Sequence, residues 1–390
     1  MKNISKSVYV GFCLMIGMMW GCAYNPEFIT VDGGWQQHDS SPVGVIAPAG
    51  SYCEVNEKFV VSGGIRADGS ESPKVLLFSA KSGGWEKGPN LNLPRFMHTQ
   101  VRLDDGRVLI IGGRRFDKGK FMPLKSCEIL SADHETIELA GTLPMAMHTP
   151  TAHVMKNGNV IAIGGGIACI YDVAQNTWDE EGVIDLREKR REHASVLMDD
   201  GQVLVIGGTG RKTFELVDPV TKRTKLLSAR LPIGLDDTSA VILPDGRVWI
   251  IGGQRSSDGN TISETYLLTI DHANGDSRIG NGPRLPHKRG VSDHLMIDVG
   301  EAIVLLSGES QYRGADVELK DAYLLDKKTL AIYVLPELNA PHDDAVGFAI
   351  ENTVYVTGGQ VTASEGAYMF LTMPRPVKTT ESLTIPRPVQ

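Results

Sequence analysis

The chain has 390 residues, of which 42% are apolar, 6% aromatic and 22% charged, and it carries a net charge of −8. That length and apolar share suffice for a large buried core, which excludes a disordered chain and a disulfide-stapled miniature. An acidic balance without basic runs argues against nucleic acid as a partner.

The first segment is a leader. Lys2 and Lys6 precede an apolar stretch from Val8 to Trp20, too short to span a bilayer comfortably. It ends in Met19-Trp20-Gly21-Cys22. This resembles a bacterial lipoprotein signal, in which Gly precedes a Cys that is lipidated and becomes the new N-terminus. Met19 replaces the usual Leu and Trp20 the usual small residue; an ordinary secretory signal is the other reading. The resemblance implies a signal peptide over residues 1–21, lipidation at Cys22, and a tether with a closing strand over residues 22–42. Ala23, instead of an Asp, implies an outer-membrane lipoprotein of the bacterial envelope, facing the periplasm or the exterior. The lipid is then the sole membrane contact, because no second hydrophobic segment follows. Loss of the leader removes two lysines, leaving 37 basic against 47 acidic side chains.

From residue 43 onward one pattern returns. Short branched-apolar runs end in a glycine doublet: Val60-Val61-Ser62-Gly63-Gly64, Val108-Leu109-Ile110-Ile111-Gly112-Gly113, Val160-Ile161-Ala162-Ile163-Gly164-Gly165 and Val203-Leu204-Val205-Ile206-Gly207-Gly208. The pattern continues with Val248-Trp249-Ile250-Ile251-Gly252-Gly253, Ile303-Val304-Leu305-Leu306-Ser307-Gly308 and Val354-Tyr355-Val356-Thr357-Gly358-Gly359. The first members lie 49, 52, 43, 45, 55 and 51 residues apart. A period of this length marks one supersecondary unit copied many times. Asp104-Asp105-Gly106, Asn157-Gly158, Asp200-Gly201 and Asp245-Gly246 precede the runs as tight hairpin turns. Runs that do not alternate in polarity predict strands covered on both faces, as in radially stacked blades.

The unit resembles the kelch repeat: an apolar run with Gly-Gly, a Tyr-Asp-like position (Tyr171-Asp172, Val217-Asp218), then a Trp (Trp85, Trp178). Ile137 and Leu226 depart from it, as does Ser307-Gly308. The resemblance implies an all-β kelch β-propeller over residues 43–372, with seven blades of four antiparallel strands; six blades and an irregular unit are the alternative. After the last doublet only Ala367–Leu371 reads as a strand, so the outer strand of blade seven is expected from the N-terminus, where Gly33-Gly34-Trp35 is similar to Gly83-Gly84-Trp85. Residues 373–390, with Pro374-Arg375-Pro376 and Pro386-Arg387-Pro388, read as an extended Pro-rich tail. Cys53, Cys127 and Cys169 remain beyond the leader, an odd number that predicts buried free thiols. Cys127 and Cys169 are one residue out of phase and should face opposite ways.

In the kelch arrangement the loop after each doublet and the loop before each inner strand open on one face. Those loops carry Arg66, Arg95, His98, Arg114, Arg115, His148, Arg191, His193, Arg211, Arg255 and Arg313, against Asp236-Asp237, Asp293-His294 and His342-Asp343-Asp344. The expectation is a mouth positive on one side and negative on the other. Arginine forks on the positive side suit a carboxylate, sulfate or phosphate, hence an anionic glycan or a protein partner. The competing reading makes these Arg and His structural ties between blades.

No metal motif, calcium loop, phosphate loop or nucleophile elbow is present, so no catalytic residue, metal or cofactor is assigned. Galactose oxidase is similar in fold but needs a copper site of two Tyr, two His and a Cys crosslinked to Tyr. Tyr52-Cys53 and Cys169/Tyr171 are too near in sequence to be that pair. Kelch enzymes that mutarotate sialic acid are similar in size and compartment, with His98, His193 and Asp293 beside Arg114 and Arg191 as candidates here. The expectation is a binding propeller, with a mutarotase or epimerase of an acidic sugar as the alternative.

Overall fold

Each glycine-terminated run is the second strand of an antiparallel sheet. The computed structural model describes residues 27–31, 33–117, 120–271, 276–361 and 375–385. Blade one comprises Ala49–Cys53, Lys58–Ser62, Lys74–Ser79 and Gly84–Asn90, paired in that order. The same order recurs from the innermost strands Thr99–Arg102, Thr151–Val154, Ala194–Leu197, Ser239–Ile242, Leu295–Asp298 and Val346–Ile350. These are seven blades, and the one helical element among the described residues is a single 3-10 turn at Glu54–Asn56.

The apolar runs lack alternation because both faces of each blade are buried. Val108 and Ile110 pack toward blade one, whereas Leu109 and Ile111 pack toward blade three. Each seam between neighbours has its own apolar core, and burying each Val, Leu or Ile there contributes about 1.5–3 kcal/mol. The seam between blades seven and one closes the ring with aromatics: Phe348 stacks on Phe59, Tyr355 and Tyr52 at 4.4, 4.7 and 4.9 Å.

In blades one, two, four, five and seven both doublet glycines have left-handed φ and the second donates across a seam. Gly208 N–H donates to Leu235 O, and Gly359 N–H to Val45 O, blade seven reaching blade one. At Gly208 a Cβ would sit 2.5 Å from Arg191 O, so only glycine fits against the loop that leads into the blade's own inner strand. Ser307 holds the equivalent first position at φ 53° because its hydroxyl is employed: it donates to Leu319 O at 2.8 Å and accepts from His342 N–H at 2.6 Å. In blade three the left-handed pair is Gly165-Gly166, one residue later than the sequence spacing places it, because Gly164 still pairs with Ile167 in the sheet.

The N-terminal strand closes blade seven as expected, with Gln36–Gln37 pairing antiparallel to Thr380–Thr384. Trp35 is buried and donates from Nε1 to Pro336 O at 2.8 Å. The C-terminal reading needs correction. Thr380–Thr384, expected within a tail, is the third strand of blade seven, with Val356 opposite Glu381 and Val354 opposite Leu383. The propeller therefore extends to residue 385, where Ile385 is buried with Leu383 in the seam to blade six. This strand buries Thr380, Glu381 and Ser382, so local apolarity does not announce it. Ala367–Leu371 lies outside the described residues, as do residues 1–26 with Cys22. Glu27–Phe28 adds a fifth strand to blade six, parallel to Ile332–Val334.

Cys53, Cys127 and Cys169 are free and buried. Cys127 of blade two and Cys169 of blade three share one seam core, so they do face opposite ways from their own blades.

Candidate functional site

Two residues before each innermost strand stands a residue with φ near 50°, and none is glycine: Ala47, Met97, Thr149, Glu192, Asp237, Asp293 and Asp344. Left-handed φ is uncommon for non-glycine residues and costly for a β-branched Thr. The residues hold it because their backbones form a belt around the axis. Met97 N–H donates to Ala47 O, Thr149 N–H to Met97 O, Asp237 N–H to Glu192 O, and Ala47 N–H to Asp344 O, closing blade one onto blade seven. The belt places one side chain per blade at the mouth.

Blades four to seven give that belt carboxyl groups only. Burial raises Asp237 to about 8, with Glu192, Asp236, Asp344 and Glu309 adding repulsion. Asp293 is pushed well above its ordinary value by burial first, then by Asp237 and Asp344. Burial brings Asp344 to about 6, and burial with Asp316 and Asp344 brings neighbouring Glu309 to about 7. Mutual repulsion of this kind requires the side chains to face one another. The expected negative side is thus a set of carboxyl groups whose ionisation burial and mutual repulsion oppose.

Blades one to three supply Ala47, Met97 and Thr149 to the belt, with cations behind them. Arg114, half-buried, lies 3.2 Å from His148 Nε2 and 3.9 Å from Met97 Sδ. Burial, then Arg114 and Arg191, lowers His148 to about 4, so it is neutral and accepts from the guanidinium. Burial also lowers Arg114, opposed by Glu192 and assisted by Arg191. Neither Arg114 nor Arg191 has an ion-pair partner among the described residues.

The other expected mouth residues divide by geometry. Arg95 does not open on the mouth: it is fully buried and donates to Gly112 O, Ser126 O and Glu128 Oε1. Glu128 also accepts from Asn92 and Leu93 N–H, tying the loop from blade one into blade two. Arg190 with Glu215 and His342 with Glu381 repeat that tie at two further seams. His98 and His193 are likewise buried, 2.8 Å from Ser62 Oγ and 3.1 Å from Thr151 Oγ1. Burial lowers both, His193 to about 3, so they are neutral seam residues. The cause is alternation: a left-handed residue on the belt sends its successor into the blade. Arg66, Arg115, Arg211 and Arg255 are matched locally by Asp68, Asp117, Glu188 and Asp258. Arg313 stacks on Tyr312, its guanidinium carbon 5.1 Å from the ring centroid. Arg114, Arg191, Asp293 and Asp344 are the expected residues brought together around the axis. Glu192, Glu309 and Met97 were not expected; the position two residues before each inner strand is the signal that finds Glu192 and Met97.

No family model matches the chain. Two curated galactose oxidases of Gibberella zeae are each 24% identical to it over 287 residues, 61% of this chain. The chain spans 41% of the length of those relatives. Among solved structures, that of YjhT covers 90% of this chain and 98% of its own, at 12% identity and a TM-score of 0.57. A fungal alcohol oxidase of the AA5 family, solved in complex with copper, covers 91% of this chain and 76% of its own, at 14% identity and a TM-score of 0.68. Among the described residues no three His, Cys, Asp or Glu side chains are grouped to hold a metal ion. The three free thiols are core residues, Cys53 and Cys127 pushed up to about 11 by burial. What these proteins share with the present chain is the arrangement of blades, and together with the recurring doublets it makes this chain a kelch-type β-propeller.

Proposed function

We propose that this propeller binds an anionic or zwitterionic sugar at its mouth, with Arg114 and Arg191 holding the acid group and the carboxyl belt facing the polar remainder. The observation that carries the reading is the state of Arg114. Its guanidinium is half-buried, positioned by a neutral His148, and left without a carboxylate partner among the described residues. Desolvating a cation without neutralising it costs free energy, and a bound carboxylate would offset that cost through a charge-assisted fork. Calorimetric titration of the mature chain with N-acetylneuraminate and glucuronate tests this. Binding should weaken more than tenfold in Arg114→Ala, and an unchanged affinity in that variant would overturn the reading. A protein ligand with an acidic loop meets the same guanidiniums and would show as peptide binding without sugar binding.

The carboxyl groups favour a second reading, mutarotation of an acidic sugar. A ring opening needs a group that donates a proton and one that accepts it near neutral pH. Asp237 at about 8 and Asp344 at about 6 straddle that range across the mouth from Arg114. Anomer exchange of N-acetylneuraminate followed by NMR should then exceed the buffer rate and fall in Asp237→Asn; exchange at the buffer rate removes the reading. For location we propose the outer membrane through a lipid on Cys22. Cys22→Ser should then move the protein from the membrane fraction to the soluble one.

A further inference from the structure

A second recess lies away from the belt, on the shoulder between blades five and six. It encloses about 490 Å3, within the range of small-molecule sites. Its walls include Lys288 and Arg289, from the connection between blades five and six, and Ser310 and Val317, from the hairpin that follows the second strand of blade six. Phe28, Val317, Leu319 and Val334 give it apolar walls, and the one carboxylate in the lining, Asp321, accepts a hydrogen bond from the Tyr323 hydroxyl at 2.5 Å.

Two features make this more than a gap in packing. The first is Ser310, which lines the recess, is 3% exposed, and has a buried Oγ without a hydrogen-bond partner among the described residues. Leaving a buried hydroxyl unpaired costs free energy, so Ser310 offers the recess a hydrogen-bonding group that the fold does not use. The second is charge. Lys288 and Arg289 are exposed and form no ion pair among the described residues. The Arg289 guanidinium carbon lies 5.4 Å from the Tyr312 ring centroid, and Arg313 lies 5.1 Å from the same centroid. Cation–π contact thus holds the guanidinium of Arg289, which lines the recess, against Tyr312.

We propose that this recess binds a small amphipathic anion. Its hydrocarbon or aromatic body lies against Val317, Leu319 and Val334, its acid group meets Lys288 and Arg289, and Ser310 Oγ–H donates to it. This site is independent of the sugar reading at the mouth and shares none of its residues.

The test uses the mature chain with 1-anilinonaphthalene-8-sulfonate, an aromatic anion whose fluorescence reports burial, displaced by octanoate or 1-octanol. Binding should weaken at least tenfold in the surface variant Lys288→Glu/Arg289→Glu. Octanoate should displace the dye at concentrations at least tenfold lower than octanol, which has the same body without the charge. Val317→Trp, which fills the cavity, should abolish the signal. Equal displacement by octanoate and octanol, or undiminished dye binding in the double variant, overturns the proposal. The double variant avoids the core, so this outcome remains decisive if Val317→Trp does not fold. Sugar titration at the mouth should be unaffected by the double variant, so failure at one site is distinguishable from failure at the other.

Discussion

The seams between blades and the mouth at the axis are built from the same loops, yet they treat charge in opposite ways. Between Leu93 and Thr99 the chain supplies Arg95 to a seam, Met97 to the belt and His98 to a seam again. In the seam, Arg95 is matched by Glu128 and by carbonyl oxygens. At the mouth, Arg114 faces a neutral imidazole and a thioether, and the belt's carboxyl groups repel one another. The seam consumes its charges to fix blade position, whereas the mouth keeps its charges unmatched. Charge that the fold does not neutralise is available to a ligand, and the loops alone do not reveal which is which.

The comparison is broken most severely at a seam. Glu128→Ala removes the acceptor for Arg95, Asn92 and Leu93 at once. It strands a fully buried guanidinium, so a loss of roughly 3–5 kcal/mol is expected in denaturant unfolding. A loss below about 1 kcal/mol would show that the tie is not what positions the blades.

At the mouth the expected effect is smaller and depends on pH. Asp237 has an ordinary value of 3.8 and is raised to about 8 in the fold. The unfolded chain therefore releases this proton at lower pH than the folded one. The folded state holds more protons between those values, so stability falls as pH rises from about 4 to about 8. Asp237→Asn should flatten that slope and stabilise the protein at pH 8 by at least about 1 kcal/mol. An unchanged slope would mean that Asp237 ionises freely. The seam histidines act at the other end. His193 and His294 are lowered to about 3 and about 4, so stability also falls as pH drops below 6.5 toward those values.

The blades were legible because the doublet is demanded by geometry at every copy. A carbonyl of the loop before the blade's own inner strand crowds Gly208, and the same crowding recurs at Gly113, Gly253, Gly308 and Gly359. Even Ser307 kept the period, its hydroxyl substituting polar contacts for the missing glycine. Blade seven was misread because its third strand is polar and bordered by prolines. Its mark was Glu381 two residues before Leu383, the counterpart of Glu128 before Leu130 and Glu215 before Val217. That repeat is quieter than a glycine pair because only some blades keep the glutamate. Arg95, His98 and His193 were placed at the mouth because loop membership predicts a face of the ring. It does not predict which loop residue turns inward, which a left-handed residue at Met97 or Glu192 decides.

The smallest stability effect is expected where the largest binding effect is. Arg114 is half-buried, and among the described residues its guanidinium makes only a hydrogen bond to His148 and a contact with Met97 Sδ. No carboxylate among the described residues is left unpaired by its removal, so Arg114→Ala forfeits one polar contact and some packing. Relief of repulsion from Arg191 offsets part of that loss. The net change in unfolding free energy should stay within about 0.5 kcal/mol, as for surface substitutions away from a network. Removing the neighbouring cation should also let His148 rise from about 4 toward its ordinary value of 6.5, a shift readable by NMR titration. If Arg114→Ala instead costs as much as Glu128→Ala, the guanidinium is a structural tie like Arg95, and the division between seam and mouth does not hold at blade two.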